Sequence, residues 1–221
     1  MVDLTQHQQR QMRAVLSLLE ADEHAPTAIR TQEHAMQAHV ADSLVALDLE
    51  VVRRARQIAD LGSGAGFPGL AIAIALPEAD VTLVESQGRR CDFLRRLCAG
   101  GQVDNARVVC SRAEEWAEGA SSQDLVVARA LASQAVVLEY AAPLLRIGGA
   151  LVDWRGKRDR TVEAAADRAA LTLGLTREGV CSVAPFEGAT DRHIHVFVKT
   201  AATPPRFPRR PGIARKRPLG E

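Results

Sequence analysis

Apolar residues recur at helical spacing at the start of the chain. Leu4, Met12, Val15, Leu16 and Leu19 predict an amphipathic helix over 4–22. After Pro26, Ile29, Met36, Val40, Leu44 and Leu47 predict a second helical stretch over Thr27–Leu49, so residues 1–52 read as a helical cap. From Arg56 the pattern changes. Short apolar runs (QIADLG, DVTLVES, ARVVCS, DLVVAR, GALVDW) alternate with helical stretches near 67–76, 88–99, 112–118, 133–145 and 158–173. Two further runs, REGVCSVAP and RHIHVFVKT, follow with no long helix between them. Strand–helix alternation predicts right-handed crossovers and a mostly parallel sheet, and the last two runs must form a hairpin that adds one antiparallel strand. The expected architecture is an α/β, Rossmann-like, seven-stranded mixed sheet over 53–200.

Composition changes this picture little: 47% of the 221 residues are hydrophobic and 25% are charged, as in ordinary globular proteins. No apolar run approaches the ~20 residues of a membrane span, and the first residues lack a signal-peptide pattern, so a cytoplasmic protein without membrane contact is expected. The four cysteines (Cys91, Cys98, Cys110, Cys181) have no metal-type spacing and read as buried, reduced thiols. Four of the six histidines lie at scattered spacings before residue 40, so no metal is expected. Charge matters more. The segment 201–221 carries six of the 28 basic residues (Arg206, Arg209, Arg210, Arg215, Lys216, Arg217) and one of the 27 acids. The remainder is net acidic. A basic Pro/Arg-rich tail of this kind suits nucleic acid and is expected to leave binding at the glycine-rich turn untouched.

That turn, DLGSGAGFPG over 60–69, closes the first strand. The dinucleotide pattern G-x-G-x-x-G fails from Gly62, because its sixth position is Phe67. It matches from Gly64, but there the first glycine lies two residues too far past the strand. The pattern acidic-x-G-x-G-x-G fits without a shift at Asp60, Gly62, Gly64 and Gly66, and it suits S-adenosylmethionine (SAM), whose amino-acid moiety lies against bare backbone. Glu85, 23 residues after Gly62, ends the second strand where one carboxylate can accept both ribose hydroxyls. Ala113 and Glu114, in SRAEEW, would read the adenine edge.

The position after the fourth strand reads VVARALAS, without the acidic–Pro–Pro run that exocyclic-amine methylation uses, and no cysteine is placed for attack on a pyrimidine. A ring nitrogen such as guanine N7 already presents a lone pair, so positioning supplies most of the rate. Arg129, Arg155 and Lys157 are the candidate catalytic residues. Arg192 and His193, with the six tail cations, are the candidate RNA contacts.

These stretches, with HVADSL (39–44), residues 60–97, ARALAS (128–133), DRHIHVFVK (191–199) and the tail RFPRRPGIARKRP, resemble the RsmG (GidB) family of SAM-dependent methyltransferases. The resemblance implies guanine-N7 methylation in the 530 loop of 16S ribosomal RNA, free or in the 30S subunit or its precursor; a monomer is expected. It also implies cofactor contacts at Gly62, Phe67, Ala113, Glu114 and Arg129. Two departures stand out. Residues 1–38 lack the family's Asn-Leu-Thr segment, and Arg155-Gly156-Lys157 replaces an expected Lys-Gly. The alternatives are a SAM enzyme for a small molecule or protein, a ribosome-associated binding protein without catalysis, and an NAD oxidoreductase.

Overall fold

The computed structural model describes residues 4–29 and 31–220. Arg30, within the second expected helix, and Glu221, the acid of the tail, lie outside the described residues, as do residues 1–3. The strands β1 (Gln57–Leu61), β2 (Asp80–Glu85), β3 (Ala106–Cys110), β4 (Gln123–Arg129), β5 (Leu145–Arg155), β6 (Leu175–Ser182) and β7 (His193–Lys199) form one sheet in the order β3-β2-β1-β4-β5-β7-β6. β7 alone runs antiparallel, between β5 and β6. The order reverses between β1 and β4, and the crevice at their carboxyl ends is where open α/β sheets hold ligands.

Alternation along the strands feeds two cores. Ile58, Leu83, Leu125 and Val152 pack beneath α1 (Gln6–Ala21), α5 (Gly69–Ala75) and α6 (Gly88–Gly101). Ala59, Leu61, Val126 and Leu151 face α7 (Gln134–Ala141) and α8 (Arg160–Leu173) on the other side. Thr5 caps α1 in a reciprocal box with Gln8, whose amide also donates to Ile74 O at 2.9 Å and so fastens α1 to α5.

Several elements differ from the sequence reading. Thr27–Leu49 is not one helix. It begins as a turn in which Thr27 Oγ1 accepts from Ile29 N. It then breaks into the helical turns α2 (Gln32–Ala35) and α3 (Asp42–Leu44), with a π-helical turn, Met36–Ala41, between them and a 3-10 turn, Val45–Asp48, after them; a further helical turn, α4 (Glu50–Arg53), follows the stretch. The stretch near 112–118 holds two 3-10 turns, Ala113–Glu115 and Ala117–Gly119, in place of an α-helix. Cys91 and Cys110, expected as separate thiols, form a disulfide between the first turn of α6 and the end of β3; Cys98 and Cys181 are free.

The tail is part of the fold. It packs on the second core through buried Phe207 and Ala214 and contains a short helix, Ile213–Lys216. Arg209 Nε donates to Glu139 Oε1 at 2.8 Å, and its NH2 donates to Glu139 Oε2 at 2.5 Å. Glu139 is 1% exposed, so this pair is internal. No helix among the described residues is long and apolar enough to cross a membrane.

Candidate active site

The turn after β1 takes its shape from its glycines. Gly62 has φ +69° and its N–H donates to Val84 O at 2.8 Å. A Cβ there would stand 2.5 Å from Leu131 Cδ1. Gly64 has φ +52°, and a Cβ on it would meet only Gly62 O at 3.6 Å, so this stretch of backbone opens outward. Three expected cofactor contacts turn inward instead. Asp60 is 1% exposed, and its Oδ2 accepts from Gly69 N at 3.0 Å, fixing the start of α5. Burial raises its pKa to about 6. Gly66 is buried, and Phe67 is 5% exposed, stacked on His39 with ring centroids 5.0 Å apart.

Glu85 closes β2 beside this turn. Its Oε1 accepts from Ser86 N (2.7 Å) and Gln87 N (2.9 Å), while Oε2 accepts from Gly64 N (3.2 Å). A carboxylate has about four acceptor sites, so Oε2 keeps capacity for a further donor. Next to it lies a cleft of about 60 Å³ whose lining includes Gly62, Ser86, Ala113, Glu114, Tyr140 and Arg215. A larger apolar cleft, about 790 Å³, lies away from this turn, between α1, the π-helical turn and residues 184–186.

Arg129, at the carboxyl end of β4, is bound by the cap. NH1 donates to Asp42 Oδ2 at 2.8 Å and to Ala38 O at 3.2 Å, and NH2 lies 3.1 Å from His39 Nδ1. Burial, then the Arg129 charge, lowers the His39 pKa to about 4. At neutral pH the ring is therefore uncharged: Nδ1 accepts from Arg129 and Nε2 donates to Thr27 Oγ1 at 3.0 Å. His39 and Asp42 lie in the HVADSL stretch, where sequence alone assigns them no role; their i,i+3 spacing on a helical turn is the available signal. Because the folded-state pKa lies below the ordinary 6.5, the contribution of neutral His39 is full above 6.5 and is lost as pH falls through about 4. Urea midpoints of the wild type and His39→Gln are therefore expected to draw together over that interval. A constant gap would contradict this.

Arg155 Nε donates to the buried Asp153 Oδ2 at 2.6 Å, and its NH1 donates to Ala132 O at 2.7 Å. Its charge is thus engaged within the fold, whereas Lys157 is exposed. His193 Nδ1 lies 2.9 Å from Gly156 O, and Arg192 is exposed. Of the tail cations, Arg206, Arg210, Lys216 and Arg217 are exposed on the surface. Arg209 is committed to Glu139, and Arg215 lines the cleft. The tail therefore reaches the cleft beside the glycine turn. Among the described residues no cluster of three or more His, Cys, Asp or Glu side chains is placed to hold a metal.

The family described as rRNA small subunit methyltransferase G (GidB) matches residues 8–194. The chain belongs to this family. A ribosomal RNA small subunit methyltransferase G from Chloroflexus aggregans is 37% identical over 224 residues, covering 99% of this chain and 93% of the relative. Another from Rubrobacter xylanophilus is 38% identical over 196 residues, covering 86% and 75%. The solved structure of a mutant of MtNAS in complex with S-adenosylmethionine shares the fold at 16% identity, with TM-score 0.58 over 88% of this chain and 73% of that one. For a methyltransferase of the G family the residues present fit SAM. Gly64 offers open backbone, Glu85 keeps acceptor capacity, and the adjoining cleft carries the Ala113 backbone and the Glu114 carboxylate.

Proposed function

We propose that this chain transfers the methyl group of SAM to N7 of a guanine in the 530 loop of 16S ribosomal RNA, acting as a metal-independent monomer in the cytoplasm on the free RNA, the 30S subunit or its precursor. The observation that carries the reading is the juxtaposition, at the carboxyl edge of the sheet, of an open glycine turn, a ribose-type carboxylate and Arg129 where amine-methylating enzymes place an acidic–Pro–Pro run.

When bound, SAM supplies an electrophilic sulfonium methyl. Gly62 and Gly64 let its amino-acid end approach the backbone, Glu85 accepts from the ribose hydroxyls, and Ala113 and Glu114 read the adenine. Guanine N7 loses no proton on methylation, so the site needs no general base, and holding the acceptor in line provides the rate. Arg129, fixed at three points by Ala38, His39 and Asp42, positions the reactants. Exposed Lys157, Arg192, Arg206, Arg210, Lys216 and Arg217 supply cations for RNA phosphates, joined by the partly exposed His193.

Radiolabel transfer from SAM to 16S RNA tests the reading through Arg129→Lys. This change keeps the charge but loses the planar fork that serves three acceptors at once. Methyl transfer is expected to fall roughly ten- to a hundredfold, ~1.4–2.7 kcal/mol, with an unchanged far-UV circular dichroism spectrum. Wild-type turnover in both Arg129→Lys and Arg129→Ala would remove Arg129 from the site.

A further inference from the structure

We infer that the C-terminal segment forms one wall of the adenine subsite, with Gly212 holding Glu114 and Arg215 as a positioning residue that holds the Leu131 loop of the same cleft. This deepens the cofactor reading above and rests on it. Gly212 N–H donates to Glu114 Oε1 at 3.3 Å, and Arg215 NH2 donates to Leu131 O at 3.0 Å. Both contacts close on the cleft that holds Ala113, Glu114 and Tyr140. Tyr140 lines the same cleft as Glu114 and Arg215; burial, then the Glu114 charge, raises its pKa.

The wall is firmly placed. Phe207 and Ala214 are buried in the second core, and the Arg209–Glu139 pair anchors the chain just before Ile213. The loop it meets is also constrained: Ala130 holds φ +55°, a conformation non-glycine residues rarely adopt, between Arg129 and the Leu131 carbonyl that Arg215 grips. Arg155 grips the same loop at Ala132 O.

The chemistry follows from the acceptor. A carboxylate only accepts, and the exocyclic amine of adenine only donates. With Oε1 of Glu114 engaged by the Gly212 amide, Oε2 is left for that amine. Loss of Arg215 frees the Leu131 loop, which lines the cleft with Glu114, so the amine is held less firmly against the carboxylate that Gly212 fixes. The inference is therefore specific for the amine and does not extend to the ribose or amino-acid end.

Calorimetry with S-adenosylhomocysteine and with S-inosylhomocysteine, in which a carbonyl replaces the amine, tests this on the full chain. Arg215→Ala is expected to weaken S-adenosylhomocysteine binding roughly three- to tenfold and to shrink the preference over the inosine compound. Arg215 is exposed, so the melting temperature of the ligand-free protein should not move. Glu114→Gln is expected to shrink the same preference, and Arg54→Ala, which breaks only a surface pair with Glu50, to leave it intact. Wild-type affinity and preference in Arg215→Ala would overturn the inference. So would an equal loss for both ligands accompanied by a lower melting temperature, since that is a purely structural effect. Failure of the wild type to bind S-adenosylhomocysteine would instead overturn the cofactor reading, and this inference with it.

Discussion

Glu85→Ala is expected to weaken SAM binding ten- to a hundredfold or more. Two losses combine. Hydrogen bonds from the ribose hydroxyls to an ionised acceptor contribute about 1.5–3 kcal/mol each. The same carboxylate also accepts from Gly64 N at 3.2 Å, so its removal releases the glycine turn that the cofactor approaches. Ser86 N and Gln87 N, which now donate to Oε1, would lose their partner but can turn to water at the surface of the crevice. The fold should therefore persist. Glu85→Gln separates the two contributions, because its carbonyl oxygen can still accept from Gly64 while the charge is gone; its affinity should fall between wild type and Glu85→Ala. Unchanged affinity in Glu85→Ala by calorimetry would show that the ribose lies elsewhere.

Arg209→Ala is expected to give the largest loss of stability, about 3–5 kcal/mol in urea unfolding. Glu139 sits in α7 at 1% exposure and receives three donors from Arg209: the backbone N, Nε and NH2. Removing the guanidinium leaves a buried carboxylate facing an apolar core. Stabilisation by the pair itself is a different quantity: the double replacement Glu139→Met with Arg209→Met removes both charges and should recover most of the loss. A cost below about 1 kcal/mol for Arg209→Ala would mean that the tail is only loosely attached.

The tail shows why part of the molecule was not legible in the sequence. Six cations among prolines read as a nucleic-acid-binding tail, and the acid that fixes Arg209 lies 70 residues earlier in the chain, within an otherwise mostly apolar helix. No local pattern reports such a pairing. The sheet was legible because its signal is local. Each apolar run carries its own alternation, and the run lengths with their intervening helices leave few topologies, so the antiparallel β7 could be foreseen. The glycine turn was legible as an element but less so in detail. Asp60 matched the cofactor pattern, yet strand alternation points its carboxylate to the α5 side, where it bonds Gly69 N. The cap was the least legible part. Its helical periodicity was real, but the break into π and 3-10 turns accompanies His39 and Asp42 reaching Arg129, 90 and 87 positions away.

The position of the transferred methyl group on 16S RNA decides whether this chain is a guanine-N7 methyltransferase. Small subunits from cells that lack this activity, incubated with the purified chain and SAM, would be digested and their 16S RNA mapped by mass spectrometry. One new 7-methylguanine is expected, within the 530 loop, and it should be absent when Arg129→Lys replaces the wild type at limiting enzyme. A methyl group on an adenine, on a pyrimidine or on a guanine outside that loop would contradict it, as would no transfer at all to RNA.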